Sequence, residues 1–229
     1  MSRIDQKICA WGGVFCAVLF GIGLLAAGFV PPPSPSLTTA EIAAVYRENS
    51  VGIRGGMVLG LFGMAGWAAF VGVISAQMRR MRTGSDLPAL LQLGSGSIGV
   101  LTVMLPIMIF AAAAFRPERD PALTELLNDL GWLIIIPAFP TFIAQFGAIA
   151  MGALLDRSPM PVFPRWTAYF NLWAALLFLP GALAYFFRSG PFAWSGLFDF
   201  WLAGGAFFAW LMVMTPVVLR AIATSPEDD

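Results

Sequence analysis

The sequence predicts an all-α, polytopic integral membrane protein: a single domain over residues 1–229, with six transmembrane helices in three outward hairpins. Three observations carry that prediction. Of the 229 residues, 59% are hydrophobic and only 11% charged, whereas soluble domains carry about 25% charge. The apolar residues gather into six runs, each long enough at ~1.5 Å of rise per residue to cross a hydrocarbon core of ~30 Å. Between the runs lie proline, charge and short amphipathic stretches, the punctuation expected of connecting segments.

The first run, residues 8–30, follows a short polar start carrying Arg3 and Lys7 and is rich in glycine. A signal peptide is the competing reading, but this run exceeds the usual apolar length of ~7–15 residues, and no small-x-small cleavage site precedes the prolines. Pro31, Pro32, Pro33 and Pro35 stop it, because proline lacks the amide donor and clashes with the preceding turn. Thr38 and Glu41 then form a capping box, and Ile42, Val45 and Tyr46 share one face, which predicts a short amphipathic helix lying on the outer membrane surface.

The second run is 55–78. Gly56 and Gly60 make a GxxxG pair continued by Gly63 and Gly66, a smooth face that admits a close helix neighbour, whether within the chain, from a membrane protein partner or in a homo-oligomer. A basic loop with Arg79, Arg80 and Arg82 leads to the third run, 89–115, which carries Gln92, Thr102 and Pro106. Its exit, Arg116 to Asp120 (RPERD), is the densest charge cluster in the chain. Pro121 follows Asp120 as N1 follows an N-cap. Leu123, Leu126, Leu127 and Leu130 keep helical spacing, predicting a second outer interfacial helix running straight into the fourth span, 131–155.

That fourth span is the most unusual. Pro137, Thr141 and Gln145 recur every fourth residue, which puts them on one stripe of one helix, and such a stripe must face something other than lipid. After the proline-rich loop from Asp156 to Arg165 comes the fifth span, 166–187, with Asn171 and Pro180. The sixth, 197–222, has Asp199 near its start and Pro216 near its end, and the acidic tail Glu227, Asp228 and Asp229 closes the chain.

Eight basic residues (Arg3, Lys7, Arg79, Arg80, Arg82, Arg157, Arg165, Arg220) fall on one side of this layout and five (Arg47, Arg54, Arg116, Arg119, Arg188) on the other. The positive-inside rule therefore places both termini in the cytoplasm, and the membrane expected is the cell inner membrane. Trp11 and Trp166 fall at the inner edge, and Trp132, Trp194 and Trp201 at the outer, as interfacial belts.

Composition also excludes functions. Thirteen basic and thirteen acidic residues cancel, so no overall field favours nucleic acid. There is no histidine, which rules out His-ligated haem and copper, multi-His di-iron centres and a conventional catalytic triad. Lys7 is the sole lysine, leaving no mid-membrane attachment point for a Schiff-base cofactor. Cys9 and Cys16, seven apart in one helix, are out of disulfide geometry and read as small core residues. No cofactor or metal is expected, and no catalytic residue is assigned.

Candidate ligand-binding residues come in two groups. Arg54, Arg188 and Asp199, with Trp194 and Trp201, lie near the outer rim, where Asp199 is expected to pair with Arg188 or Arg54; the competing reading has the arginines snorkel and Asp199 favour a helix start. Thr141, Gln145 and Asn171 form an uncharged midplane group beside the proline breaks, where freed carbonyls could hold a polar ligand, or where the amides simply bond between helices. The function expected is binding or transport of a small lipophilic molecule through a pocket open to the outer side. An accessory subunit of a larger membrane complex is the alternative. A lipid-modifying enzyme using Asp199 or the RPERD cluster is the third reading. With no carboxylate or histidine in mid-membrane, proton coupling is not expected.

Overall fold

A computed structural model describes residues 2–225, so the acidic tail Glu227 to Asp229 lies outside the described residues. These residues form eight α-helices: α1 Arg3–Ala26, α2 Thr39–Glu48, α3 Ser50–Met78, α4 Leu87–Phe115, α5 Pro121–Ile135, α6 Phe139–Leu155, α7 Arg165–Phe178 and α8 Ala203–Ala223. A 3-10 turn at Leu179–Leu183 extends α7, and a π-helical turn at Leu197–Leu202 opens α8. Six of the helical stretches are long and apolar enough to cross a membrane, α5 and α6 counting as one stretch and α7 with its 3-10 turn as another.

In the bundle, α1 packs on α3, α3 on α4, α4 on α6, α6 on α7, and α8 returns to α1. The α1–α3 seam is the tightest, because glycines face each other's backbones: a Cβ at Gly23 would fall 2.4 Å from the Gly56 carbonyl oxygen, and one at Gly12 would fall 2.3 Å from that of Gly66. The Gly56 and Gly60 face, open in the sequence reading to a second chain, is therefore buried against elements of the same chain. Cys16 lies buried in this seam and Cys9 is half-buried, both as free thiols.

Helix ends differ from the sequence reading for local reasons. The Ser2 hydroxyl accepts from the Asp5 amide at 3.1 Å while the Asp5 carboxylate accepts from the Ser2 amide at 3.1 Å, so a capping box starts α1 in the polar segment. Its far end stops at Ala26, short of the prolines, because Gly28 takes φ +68° and the Phe29 amide turns back to the Leu24 carbonyl at 2.9 Å, as a left-handed C-terminal cap does. Phe29 is thereby driven into the core.

The expected capping box of α2 is present, with the Thr38 amide donating to Glu41 Oε2 at 2.7 Å. The Thr38 backbone hydrogen bond, followed by that of its hydroxyl, holds the Glu41 carboxyl below its usual value. Ile42 and Tyr46, predicted to lie on a membrane surface, are instead covered by protein, with α2 packed on α5. In α5 the leucine stripe faces outward and the polar stripe inward. Leu126 is 62% exposed, and Leu123 and Leu130 are exposed beside it, while Thr124, Asn128 and Trp132 are buried. Lipid accepts leucine but not an amide, so the polar stripe turns inward.

Pro137 divides the predicted fourth span into α5 and α6. Proline removes the amide that would have bonded the Leu133 carbonyl, and the Tyr185 hydroxyl donates to that carbonyl at 3.0 Å. Pro180 similarly tightens the end of α7 into the 3-10 turn. Pro106, by contrast, is accommodated within α4.

Candidate ligand cavity

The interior is layered with aromatic rings, and the cavity lies between two layers. Nearest α2 and α5, Phe29 sits 5.2 Å from Phe110 and 5.4 Å from Trp132, with Tyr46 edge-on at 6.0 Å. The Trp132 and Phe200 rings meet at 6.3 Å. Mid-bundle, Phe142 stacks on Phe178 at 4.4 Å and on Trp67 at 5.7 Å, while Trp67 meets Phe207 edge-on at 5.0 Å. A further layer places Phe146 4.9 Å and Phe70 5.8 Å from Trp210.

Between the first two layers is a cavity of about 360 Å³, within the ~300–1,000 Å³ range of small-molecule sites. Its walls include Trp132, Ile135 and Ile136 at the end of α5, Phe142, Phe178, the α8 segment through Phe208, and Phe20, Gly21, Leu24 and Leu25 of α1. The wall is thus built where two spans leave α-helical geometry, at the α5–α6 break and the π turn, and the 3-10 turn packs close behind. A Cβ at Gly181 would lie 2.7 Å from the Ile136 carbonyl oxygen.

Among the lining residues Asp199 alone is ionisable. It is 1% exposed, and neither carboxylate oxygen has a hydrogen-bond partner among the described residues. Its place in the π turn of Leu197–Leu202 explains how it reaches the interior: the wider i→i+5 turn rotates one residue out of α-helical phase, a device common at functional sites. Nothing in the sequence announces that rotation.

The cavity opens sideways. Its rim includes Leu25 and Val30 after the middle of α1 and Trp201 and Gly205 at the start of α8, all exposed positions on apolar helical faces or their immediate continuation. Toward the α2/α5 end it is covered: the Trp194 indole donates to the Pro33 carbonyl at 2.8 Å, and the Arg188 guanidinium donates to that of Pro35 at 3.3 Å. These bonds tie the loop after α1 to the turn before α8.

The structure separates the predicted site residues. Asp199 and Trp201 line the cavity; Arg54, Thr141, Gln145, Asn171, Arg188 and Trp194 do not. The expected pairing of Asp199 with Arg188 or Arg54 does not form, since Arg188 bonds Pro35 and the Arg54 Nε donates to the Ser50 carbonyl at 3.2 Å. Trp132 and Trp194, predicted for an interfacial belt, are buried, whereas Trp11, Trp166 and Trp201 are exposed. Burial of the first two follows from their indole N–H groups, which find acceptors in Asn128 at 3.2 Å and Pro33.

The midplane group also divides. Asn171 is a structural joint: its amide donates to the Thr167 carbonyl at 2.8 Å and its oxygen accepts from the Trp210 indole at 2.8 Å. Thr141 donates to the Ala138 carbonyl at 2.9 Å. Gln145 is fully buried and neither amide atom has a partner among the described residues, and the same holds for Gln92 on α4. Gln145 lies against α4, its Nε2 2.8 Å from where a Cβ at Gly96 would stand. Sequence reading singled out Gln145 but gave Gln92 no role, although Gln92 and Gly96 are one turn apart on the same face. Asn128 was missed as well. Its oxygen receives Tyr46 at 3.1 Å and Trp132 at 3.2 Å, making it the joint between α2 and α5.

Three kinds of comparison leave the site to be interpreted on its own geometry, since no protein-family model, curated protein or solved structure matches the chain.

Proposed function

We propose that this protein resides in the cell inner membrane with both termini cytoplasmic, and that it binds a small lipophilic molecule entering sideways from the bilayer between α1 and α8. One observation carries the reading: the cavity of about 360 Å³ joins an almost wholly apolar wall to a single buried carboxyl without a partner. A buried charge is costly unless something pairs it, and an apolar cavity with one convergent polar group is the usual form of a small-molecule site. Lateral entry follows from the rim, because lipid reaches Leu25 and Gly205 while the Trp194–Pro33 and Arg188–Pro35 bonds cover the outer end. In this arrangement α2 and α5 form an outer cap.

Binding is the part of the expected function that the geometry favours over transport. Below the cavity, Phe142, Phe178, Trp67 and Phe207 close the bundle, and the Phe70, Phe146 and Trp210 layer closes it again. Passage to the other side would require both layers to open.

The test is native mass spectrometry of the protein extracted gently from its own membrane, beside Gly204→Phe. Gly204 is part of the cavity wall and a Cβ there meets nothing within 4 Å, so a ring added at this position narrows the site without displacing backbone. A co-purified small molecule present in the wild type and absent from Gly204→Phe supports the reading. A stoichiometric protein partner with no small molecule in either would instead favour an accessory subunit.

A further inference from the structure

We infer that the ligand is a lipophilic organic cation, an ammonium group carried on an apolar body, with Asp199 as its counter-ion. This rests on the binding reading above and narrows it to a chemical class.

Two independent features of the cavity converge on a cation. The first is charge. Asp199 is 1% exposed and unpartnered, and no arginine or lysine lines the cavity. A ligand that brings a positive charge is the partner that satisfies a buried carboxylate without leaving a net charge in an apolar site. The second is the wall itself. Eight aromatic side chains line the cavity, among them Trp132, Phe200 and Trp201 near Asp199 in sequence or contact, and Phe20, Phe207 and Phe208. Aromatic faces carry negative quadrupole charge, and rings gathered around a site are a recurrent way of holding quaternary and tertiary ammonium groups.

A ligand offering only a carbonyl would use neither feature fully. It would require Asp199 to carry a proton and donate it, and it would draw nothing from the ring faces. A wholly apolar ligand would leave the carboxyl as unsatisfied as before. The size also fits: about 360 Å³ lies at the lower end of the ~300–1,000 Å³ range of small-molecule sites, which suits a compact cation with a short apolar arm.

The experiment uses the full chain in phosphatidylcholine nanodiscs and isothermal titration calorimetry, with empty nanodiscs subtracted. Three probes of matched size are compared: (4-phenylbutyl)trimethylammonium, its neutral carbon isostere bearing tert-butyl, and a ketone of the same length. The cation is expected to bind most tightly. Asp199→Asn should weaken it on the order of 30-fold while the isostere changes by less than about two-fold, which also shows that the variant is folded.

Equal affinity for cation and isostere, or a preference for the cation that survives Asp199→Asn, overturns the inference and leaves the cavity reading standing. The ketone binding best, and persisting in Asp199→Asn because the amide still donates, overturns it in favour of a hydrogen-bond acceptor. If Asp199→Asn loses every probe, Phe208→Leu decides. A fall in the cation-to-isostere ratio supports the inference, and an unchanged ratio overturns it. No probe binding the wild type more tightly than Gly204→Phe would overturn both this inference and the reading on which it rests.

Discussion

Helix α1 meets glycine on two sides with opposite results. Against α3, Gly12 and Gly23 lie on the backbones of Gly66 and Gly56, so closely that any side chain would strike a carbonyl oxygen. At the start of α8, Gly204 and Gly205 face open space and belong to the cavity wall. The same residue type builds a close seam in one place and part of an open cavity wall in the other. What separates them is the neighbour: α3 packs backbone to backbone along α1, whereas α8, which opens with a π turn, meets α1 through side chains such as Phe208 beside Gly21.

The largest effect expected from breaking this contrast is in the seam. Gly23→Leu places its Cβ 2.4 Å from a carbonyl oxygen that belongs to helical backbone and has nowhere to move. It should cost at least ~3 kcal/mol, the upper part of the overpacking range, and appear as loss of the monodisperse protein or a large fall in thermal midpoint.

Next comes the contact between α2 and α5 near the cavity. Asn128→Ala removes the acceptor shared by Tyr46 and Trp132 and strands two buried donors at ~1–3 kcal/mol each. Proteolysis in the 31–49 segment should accelerate while the α1–α3 seam, followed by hydrogen exchange, stays protected.

Asp199→Leu should move stability the other way, upward by about 1–2 kcal/mol, because it removes an unpaired buried carboxyl. Loss of cation binding together with a raised unfolding midpoint would mark Asp199 as retained for function. A lowered midpoint would instead show that its carboxyl is holding the π turn together.

At the opposite end of the bundle the carboxyl of Asp156 offers a control, since it is buried and fully partnered. Burial alone would raise its pKa, but hydrogen bonds from Ser158, Val162 and Arg82 outweigh that and hold it below the usual carboxylate value, with the Arg82 and Val162 amides both at 3.0 Å. A depressed folded value means that its stabilisation is complete above the unfolded value near ~4 and is lost as pH falls through the folded one. The acid limb of the stability profile should therefore flatten in Asp156→Asn, by roughly 1 kcal/mol of pH-dependent stability. An unchanged acid limb would remove Asp156 from that role.

The smallest effect is Gly204→Ala. With open space around its Cβ, the gain is the helix propensity difference of up to ~1 kcal/mol, visible as a slightly higher midpoint. The same change at Gly56 should be strongly destabilising, which would sharpen the contrast between the two seams within a single pair of variants.

Much of the architecture was readable in the residues. Six runs of apolar sequence became the six stretches long enough to cross a membrane, Thr38 and Glu41 marked the start of α2, and Pro137 and Pro180 lie where two spans break or tighten. Run length and proline act locally, through rise per residue and a missing amide, so they survive any tertiary arrangement. The faces were less readable. The leucine stripe of α5 was legible as a stripe, but its direction depended on whether protein or lipid lay outside, and periodicity is blind to that.

The candidate site was the least readable part. Asp199 and Trp201 could be named from their position near the start of the sixth run, while Phe20, Phe142, Phe178 and Phe207 come from four different helices and have no common signature. Asn171 and Gln145 look alike as single amides in apolar helices, yet one bonds Trp210 and Thr167 and the other has no partner among the described residues. By itself the sequence determined a chain of apolar helices, their proline breaks and the absence of histidine chemistry, because each follows from local covalent geometry or composition. Only the tertiary structure decided which glycines touch, which way α5 faces and that Asp199 lines a cavity. Those outcomes depend on what stands opposite each residue, and that is a property of the packed bundle.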